Sequence, residues 1–385
     1  MLSLWAKCTE WNESVAGKAA HPLFPHLTHQ RGPQKMIVRT LKLRLTKKQE
    51  TMLNAWLWNL TGLYNFAIKK IEHDAADHVY HSGFGFINLV ANHSDRMEIP
   101  SHTMQGTLKQ AHTAWQRCFK KLGGKPKLKG QRNKLNSIPF PDPIRKPEEN
   151  RIRLPGLGKV RYHKQELPEA KIKCGRIVKR ASGWYLCLWL DTVHAFPVQQ
   201  TDKAVGIDPG FKTLLTLSDG AKIENPRELR KGAERLAQAQ RGGHKKLAAR
   251  LLERQANRRN DRNHKISRRL CEEYKTICYS DDNFKGMARK FGKSVTEAGL
   301  GDLIGKLTYK SKTCGRELIA VDSKHTTMLC SACGSLAGPT GLANLSVRRW
   351  ACGCGAIHDR DINAAVNVLN AALGWSVEGG KRHVA

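Results

Sequence analysis

The sequence is short of acid. Its 385 residues hold 33 Asp and Glu against 66 Lys and Arg, a formal net charge of +33. It also lacks any apolar run near the ~20 residues that a membrane-spanning helix requires, and it carries no amphipathic anchor or lipidation motif. Residues 1–35 contain no apolar segment of signal-peptide type. They read as an upstream extension, disordered or left by a misassigned start, ahead of a domain that opens at Met36. The cysteines number 11, an odd count, and seven of them (Cys8, Cys118, Cys174, Cys187, Cys271, Cys278 and Cys314) stand singly in apolar or strand-like surroundings. Those read as reduced thiols of a cytoplasmic protein.

What remains is a globular chain, long enough for two or three domains with real cores. Its missing negative charge must come from a partner. Polyphosphates supply it and release counterions on binding. Nucleic acid is the expected partner, and an anionic membrane surface is the less supported alternative.

Residues 36–46 alternate apolar and basic side chains, as in a half-exposed strand with a cationic face. Thr46 and Gln49 have the spacing of a capping box, and apolar residues from Met52 to Ala67 follow at helical spacing. Residues 103–122 read as a second helix. Residues 125–134 (KPKLKGQRNK) form a basic loop punctuated by Gly and Pro. Its Lys125, Lys127, Lys129 and Arg132 are candidates for phosphate contact, against the plainer reading of a solvated charge run. Strand-like runs at 150–154 and 183–190, with 36–46, predict a small β-barrel that the chain leaves for the helices and re-enters. Residues 195–203 read as a linker. Beyond it, 226–273 predicts a long basic helical hairpin broken at Gly242-Gly243. Intrahelical ion pairs cannot neutralise it, because acids are too few. Its basic face, Arg258 and Arg259 included, is read as an electropositive wall toward nucleic acid. Residues 274–281 and 315–323 read as strands, and 293–313 as helix.

The second domain is organised around Ala204-Val205-Gly206-Ile207-Asp208, an apolar run that ends in a carboxylate and a Pro209-Gly210 turn. Such a run suits a strand buried on both faces. Its C-terminal end borders the crevice where open α/β sheets bind ligands. Residues 212–220 continue it as a hairpin. Alone, Asp208 could be a strand-end acid with no chemistry. Far downstream, however, Asp359 and Asp361 open a helix marked by Ala364, Val368 and Leu369. Acids there suit the helix macrodipole; alternatively, Asp361 joins Asp208 on a divalent metal. Just upstream lie Cys330-x2-Cys333 and Cys352-x-Cys354. Thiolates paired on two knuckles suit a structural zinc ribbon. A three-Cys site completed by His358, or a ribbon without metal, are the alternatives.

Together, GIDPG (206–210), the Thr-rich approach to CxxCG (326–334), VRRWxC (347–352) and HDRDINAAVNVL (358–369) resemble the TnpB family. These are transposon-encoded RNA-guided DNA nucleases related to type V CRISPR effectors. The N-terminal basic strand, Tyr64-Asn65 and the KPKLKGQR loop are similar too, so the likeness spans about residues 36–372. It implies a multidomain α/β architecture. A β-barrel wedge domain (36–47 and 123–200) is interrupted by a helical recognition domain (48–122). An RNase H-like (RuvC) nuclease domain (203–325 and 359–372) follows with an inserted zinc ribbon (326–358), then a C-terminal tail (373–385). The resemblance also implies a guide RNA from the transposon end, double-stranded target DNA bearing a short adjacent motif, structural Zn2+, and catalytic Mg2+ held by three carboxylates. The setting it implies is cytoplasmic and nucleoid-associated, for a monomer or a homodimer.

One position departs from the family. The first and third carboxylates map to Asp208 and Asp361, but the second, a Glu, maps to Ser280, counting back from Gly286-Met287. Serine is a poor Mg2+ ligand. Asp281 is adjacent but points to the opposite face. Asp322 ends a strand expected to lie parallel beside the Ser280 strand, so it is the candidate replacement, against a plain acid in a turn; Glu297 is a weaker candidate. The expected function divides accordingly. One reading is an RNA-guided, Mg2+-dependent DNA endonuclease of a transposable element with a rearranged site. The alternatives are a nuclease-dead, RNA-guided DNA-binding repressor and an RNA-independent DNA-binding accessory of transposition.

Overall fold

In the computed structural model, residues 36–88, 98–192, 198–340, 343–378 and 381–384 are described; the 1–35 extension lies outside them. The chain parts into two units, Met1–His194 and Ala195–Ala385.

In the first unit, β1 (Met36–Arg44) precedes, among the described residues, the helices α1 (Lys47–Ala76), α2 (Gly83–Asn88) and α3 (Ser101–Phe119). Thr46 Oγ1 accepts from the Gln49 backbone N–H (3.2 Å) and Gln49 Oε1 accepts from the Thr46 N–H (3.1 Å), so the capping box starts α1 as its sequence indicates. The chain then returns through β2 (Ser137–Phe140), β3 (Arg151–Leu154), β4 (Gly158–Tyr162), β5 (Lys171–Arg180) and β6 (Gly183–Asp191). The strand order is β2-β5-β6-β1-β4-β3, antiparallel throughout. β1 is central because Met36–Lys42 pair with β6 while Leu43 and Arg44 pair with β4. The expected small β-barrel takes the form of a half-barrel sheet. Among the described residues, the edge strands β2 and β3 do not bond to each other, and the sheet stays open. Helices fill the space between those edges. Gly106 of α3 sits where a Cβ would lie 2.9 Å from Pro139 of β2, and Gly156, just after β3, abuts the ring of Trp56 on α1. Sheet and helices share one core, with Leu41, Leu57, Leu60, Leu108 and Leu186 fully buried.

In the second unit, β7 (Ala204–Pro209), β8 (Thr213–Leu217) and β9 (Lys222–Glu224) form an antiparallel meander. Three helices follow: α4 (Glu228–Lys231), α5 (Ala233–Arg241) and α6 (Lys245–Glu273). The break between α5 and α6 is at Gly242 and Gly243, the latter left-handed (φ +69°). β10 (Thr276–Ser280) then pairs parallel with β7. It is followed by α7 (Phe284–Ala298), α8 (Leu300–Cys314) and β11 (Glu317–Val321), which pairs parallel with β10. The sheet order is β11-β10-β7-β8-β9, so β7 is central. Helix begins at Phe284, ahead of the predicted 293, because the Asn283 side chain accepts from the Gly286 N–H (2.9 Å) and caps it. A small hairpin, β12 (Arg349–Ala351) and β13 (Ile357–Asp359), leads into α9 (Arg360–Ala372), and β14 (Trp375–Glu378) pairs with β15 (Lys381–Val384). Among the described residues, no helix is long and apolar enough to cross a membrane.

Strand alternation divides β7 between two faces. Val205 and Ile207 join a core with Ile266, Leu270, Leu303 and Leu307. Gly206 faces α9, whose Ala364, Ala365 and Val368 are buried. A Cβ on Gly206 would lie 2.0 Å from Ala365 O and 2.8 Å from Leu369 N. Gly206→Ala must therefore push α9 off the strand. It is expected to lower stability by about 1–3 kcal/mol, the usual cost of overpacking, read as a lower urea midpoint. An unchanged midpoint would mean that the helix does not seat there.

Candidate metal centres

Three parallel strands end at one edge of the sheet. Ile207 pairs with Tyr279, and Ser280 pairs with Val321. The next residue on β7, Asp208, shares the face of Gly206 and so points toward α9. There Asp359 caps the helix, accepting from the Asp361 and Ile362 N–H groups (both 3.1 Å), and Asp361 occupies the first turn. Asp359 is also taken by Lys222 Nζ (2.6 Å). Asp361 is half-buried and receives both of its contacts from one guanidinium, Arg348 Nη1, at 3.1 and 3.2 Å.

The structure adds an acid that strand reasoning passed over. Asp282 N donates to Ser280 O (3.0 Å), turning the chain back at the strand end, and Ser280 Oγ donates to Asp282 Oδ2 (3.0 Å). Desolvation pushes the Asp208 carboxyl up to about 8, helped by repulsion from Asp361 and Asp282 and opposed by Arg360 and Arg348. Among the described residues no hydrogen-bond donor reaches that carboxyl. Burial likewise raises Asp282, while hydrogen bonds from Ser280 and Ser323 oppose the rise. Three carboxylates are hard oxygen donors of the kind Mg2+ takes, although Arg348 already holds Asp361 and the three do not gather within 4.8 Å of one another.

The other candidates sit elsewhere. Asp322 follows Val321, the register partner of Ser280, and therefore points to the opposite face. It is exposed and accepts from the Lys324 N–H (3.0 Å) in its own turn. Glu297 is buried and tied to Arg230 through the backbone N–H (3.0 Å) and Nε (3.2 Å). Arg258 pairs with Glu228 (2.7 Å); with Arg259 and Glu297 it lines a cavity of about 70 Å3. In the first unit Lys125, Lys127 and Arg132 are exposed and Lys129 half-buried. Asn65 pins their loop, exchanging hydrogen bonds with the Lys129 backbone (2.7 and 2.8 Å), and Lys125 pairs with Glu72.

The four cysteines converge. Their sulfurs lie within 4.8 Å of one another, with Cys330–Cys354 at 3.9 Å and Cys333–Cys352 at 3.6 Å. A zinc ion with four sulfurs at ~2.3 Å has S···S edges of roughly 3.8 Å, so the group fits one tetrahedral ion. The short C-x-C knuckle suffices because Gly355 N donates to Cys352 O (2.9 Å) and closes a tight turn. Cys352 is drawn down to about 6 by donation from the Cys354 N–H and the Ser335 hydroxyl, while burial pushes Cys330 up to about 12. His358 stands outside the four-sulfur group, with Nε2 3.0 Å from Cys330 Sγ. Asn363 and Asn367 on α9 lash this knuckle to the helix. Asn363 Nδ2 donates to Leu329 O (2.7 Å) and its Oδ1 accepts from Ser331 N (2.9 Å); Asn367 Nδ2 donates to Thr326 O (2.8 Å). The signal for them was a helical row of asparagines, Asn363, Asn367 and Asn370, four and three residues apart.

Residues 190–290 match a family model described as "Probable transposase" (OrfB_IS605), and residues 301–368 match "Cas12f1-like, TNB domain". The chain is 33% identical over 303 residues to a Streptomyces pristinaespiralis protein named "Putative RNA-guided DNA endonuclease", covering 73% of this chain and 74% of that one. It is 26% identical over 317 residues to InsQ of Escherichia coli K12, which has the same descriptive name, covering 73% and 78%. Over 245 residues it is 27% identical to the CRISPR-associated endodeoxyribonuclease Cas12f1 of Sulfoacidibacillus thermotolerans, covering 55% and 56%.

Two outcomes follow from this geometry. The purified chain should carry about one zinc, and Cys352→Ser should lose it by elemental analysis; a zinc-free parent would refute the site. Asp208 keeps its proton to about pH 8 when folded, whereas the unfolded chain releases it near 3.8. The associated stability is complete below about pH 4 and is lost as the pH rises through 8. In Mg2+-free buffer, the stability of the parent should fall relative to Asp208→Asn by up to about 1.4 kcal/mol per pH unit between roughly pH 5 and 8. A pH-independent difference in urea unfolding would contradict it.

Proposed function

The chain belongs to the TnpB family, and from that membership we propose that it is an RNA-guided DNA endonuclease of a transposable element. What carries this reading is Asp208 at the end of the central strand, desolvated and facing the Asp361 end of α9. The names of the relatives support the guide and the target. The partners are then a guide RNA from the transposon end and duplex DNA bearing a short adjacent motif, with base pairing reading the sequence. The excess positive charge supports polyphosphate binding, for which Lys125, Lys127, Lys129, Arg132, Arg258 and Arg259 are the proposed contacts.

Asp208 and Asp361 would hold Mg2+, which when bound supplies water activation and stabilisation of the leaving oxygen. Asp208 must first surrender its proton, which its raised affinity opposes at neutral pH. Arg348 must release Asp361, since one carboxylate cannot serve guanidinium and cation equally. The four cysteines would hold Zn2+ in a structural role, keeping the ribbon and the start of α9 in register.

The test is purification with transposon-end RNA, followed by matched duplex DNA and Mg2+. Cleavage is expected, and Asp208→Ala or Asp361→Ala should slow it by at least about a thousandfold, the several kcal/mol that a metal clamp contributes, while DNA binding persists. Guided binding without cleavage by the parent would instead establish the repressor reading, and DNA binding independent of RNA the accessory reading.

A further inference from the structure

Granting the metal-dependent reading above, the site still needs a third carboxylate, because Ser280 stands at the end of β10 where an acid would serve. We propose that Asp282 is that carboxylate, oriented by the hydroxyls of Ser280 and Ser323.

The argument begins with the faces of the sheet. Ser280 is the neighbour of Asp208 across the parallel β7–β10 pair, one step beyond the Tyr279–Ile207 partnership, so both side chains rise from the face that α9 covers. A residue two positions further on returns to the same face if the chain stays near the sheet. It does, because Asp282 N donates to Ser280 O (3.0 Å) and Ser280 Oγ holds Asp282 Oδ2 (3.0 Å). The intervening Asp281 remains in the sheet through its N–H to Val321 O (2.8 Å) and is exposed on the other side.

The second strand of the argument is what surrounds Asp282. Ser280 is 1% exposed, so its hydroxyl sits in a fixed, dry position and its one visible task is to hold that carboxylate. Ser323, two residues beyond β11, also acts to lower the Asp282 carboxyl. A carboxylate has about four acceptor positions; two serines leave room for a cation. Among the described residues no Lys, Arg or His pairs with Asp282 or Asp208. The β11 end thus brings a hydroxyl to the site while its own acid turns away into a solvent-facing loop.

The test uses the full chain bound to its guide RNA and reads Mn2+ by titration calorimetry, with guided cleavage in parallel. Asp282→Asn, nearly isosteric and checked for folding by circular dichroism, should weaken Mn2+ binding at least tenfold and remove cleavage while leaving guided DNA binding. Restoring the acid as Asp282→Glu should recover part of the Mn2+ affinity. If Asp282→Asn binds Mn2+ as the parent does while Asp208→Asn does not, Asp282 is overturned and the metal-dependent reading stands. Loss of the ion in Asp322→Asn instead of Asp282→Asn would also overturn it. A parent that binds no Mn2+ overturns both.

Discussion

The second unit depends on how closely α9 can lie on β7. At Gly206 the helix backbone occupies the space a side chain would need, and one residue pair later the same face of the strand presents Asp208. Asp361 is one helical turn before Ala365, the residue whose carbonyl meets Gly206. Two acids far apart in sequence are therefore spaced by a backbone–backbone contact, the stiffest kind in a close-packed interior. The other end of the arrangement is held by hydrogen bonds: Asn363 and Asn367 reach the loop that carries Cys330, so the sulfur cluster and the acidic helix start form one piece. Sterics set the position of α9 on the sheet, and the asparagines set the position of the ribbon on α9.

Much of this was legible in the residues because period and caps are local properties. The β7 run, the Thr46–Gln49 box, the break at Gly242-Gly243 and the Asp359 cap each appear where their local chemistry puts them. What was not legible depended on register or on closure. That Asp322 ends a strand parallel to β10 could be anticipated; that Ser280 pairs with Val321, turning Asp322 to the far face, could not. The same alternation rule that dismissed Asp281 would have favoured Asp282 had it been carried one residue further, and the backward turn that completes the placement is a tertiary event. The barrel takes its half-barrel form for a comparable reason, because helices fill the space between its edge strands, a packing outcome invisible in strand patterns.

The basic hairpin is more divided than its composition suggests. Toward the C-terminal end of α6, Lys265, Arg268 and Arg269 each pair with an acid four residues away. These exposed pairs add little stability, but they lower the local field. Lys245, Lys246 and Arg254, nearer its start, have no ion pair among the described residues. The electropositive part of α6 is thus its N-terminal half.

The position of α9 in the chain has a consequence for how the protein is made. During translation β7 and its Asp208 emerge early, and α9 emerges only after the sheet, its helices and the cysteine ribbon. Until then the groove at Gly206 is bare and Asp208 lacks its opposite number. A nascent or prematurely terminated chain has one acid of the pair and none of the helix that sets their spacing, so the paired arrangement arises only with synthesis past α9.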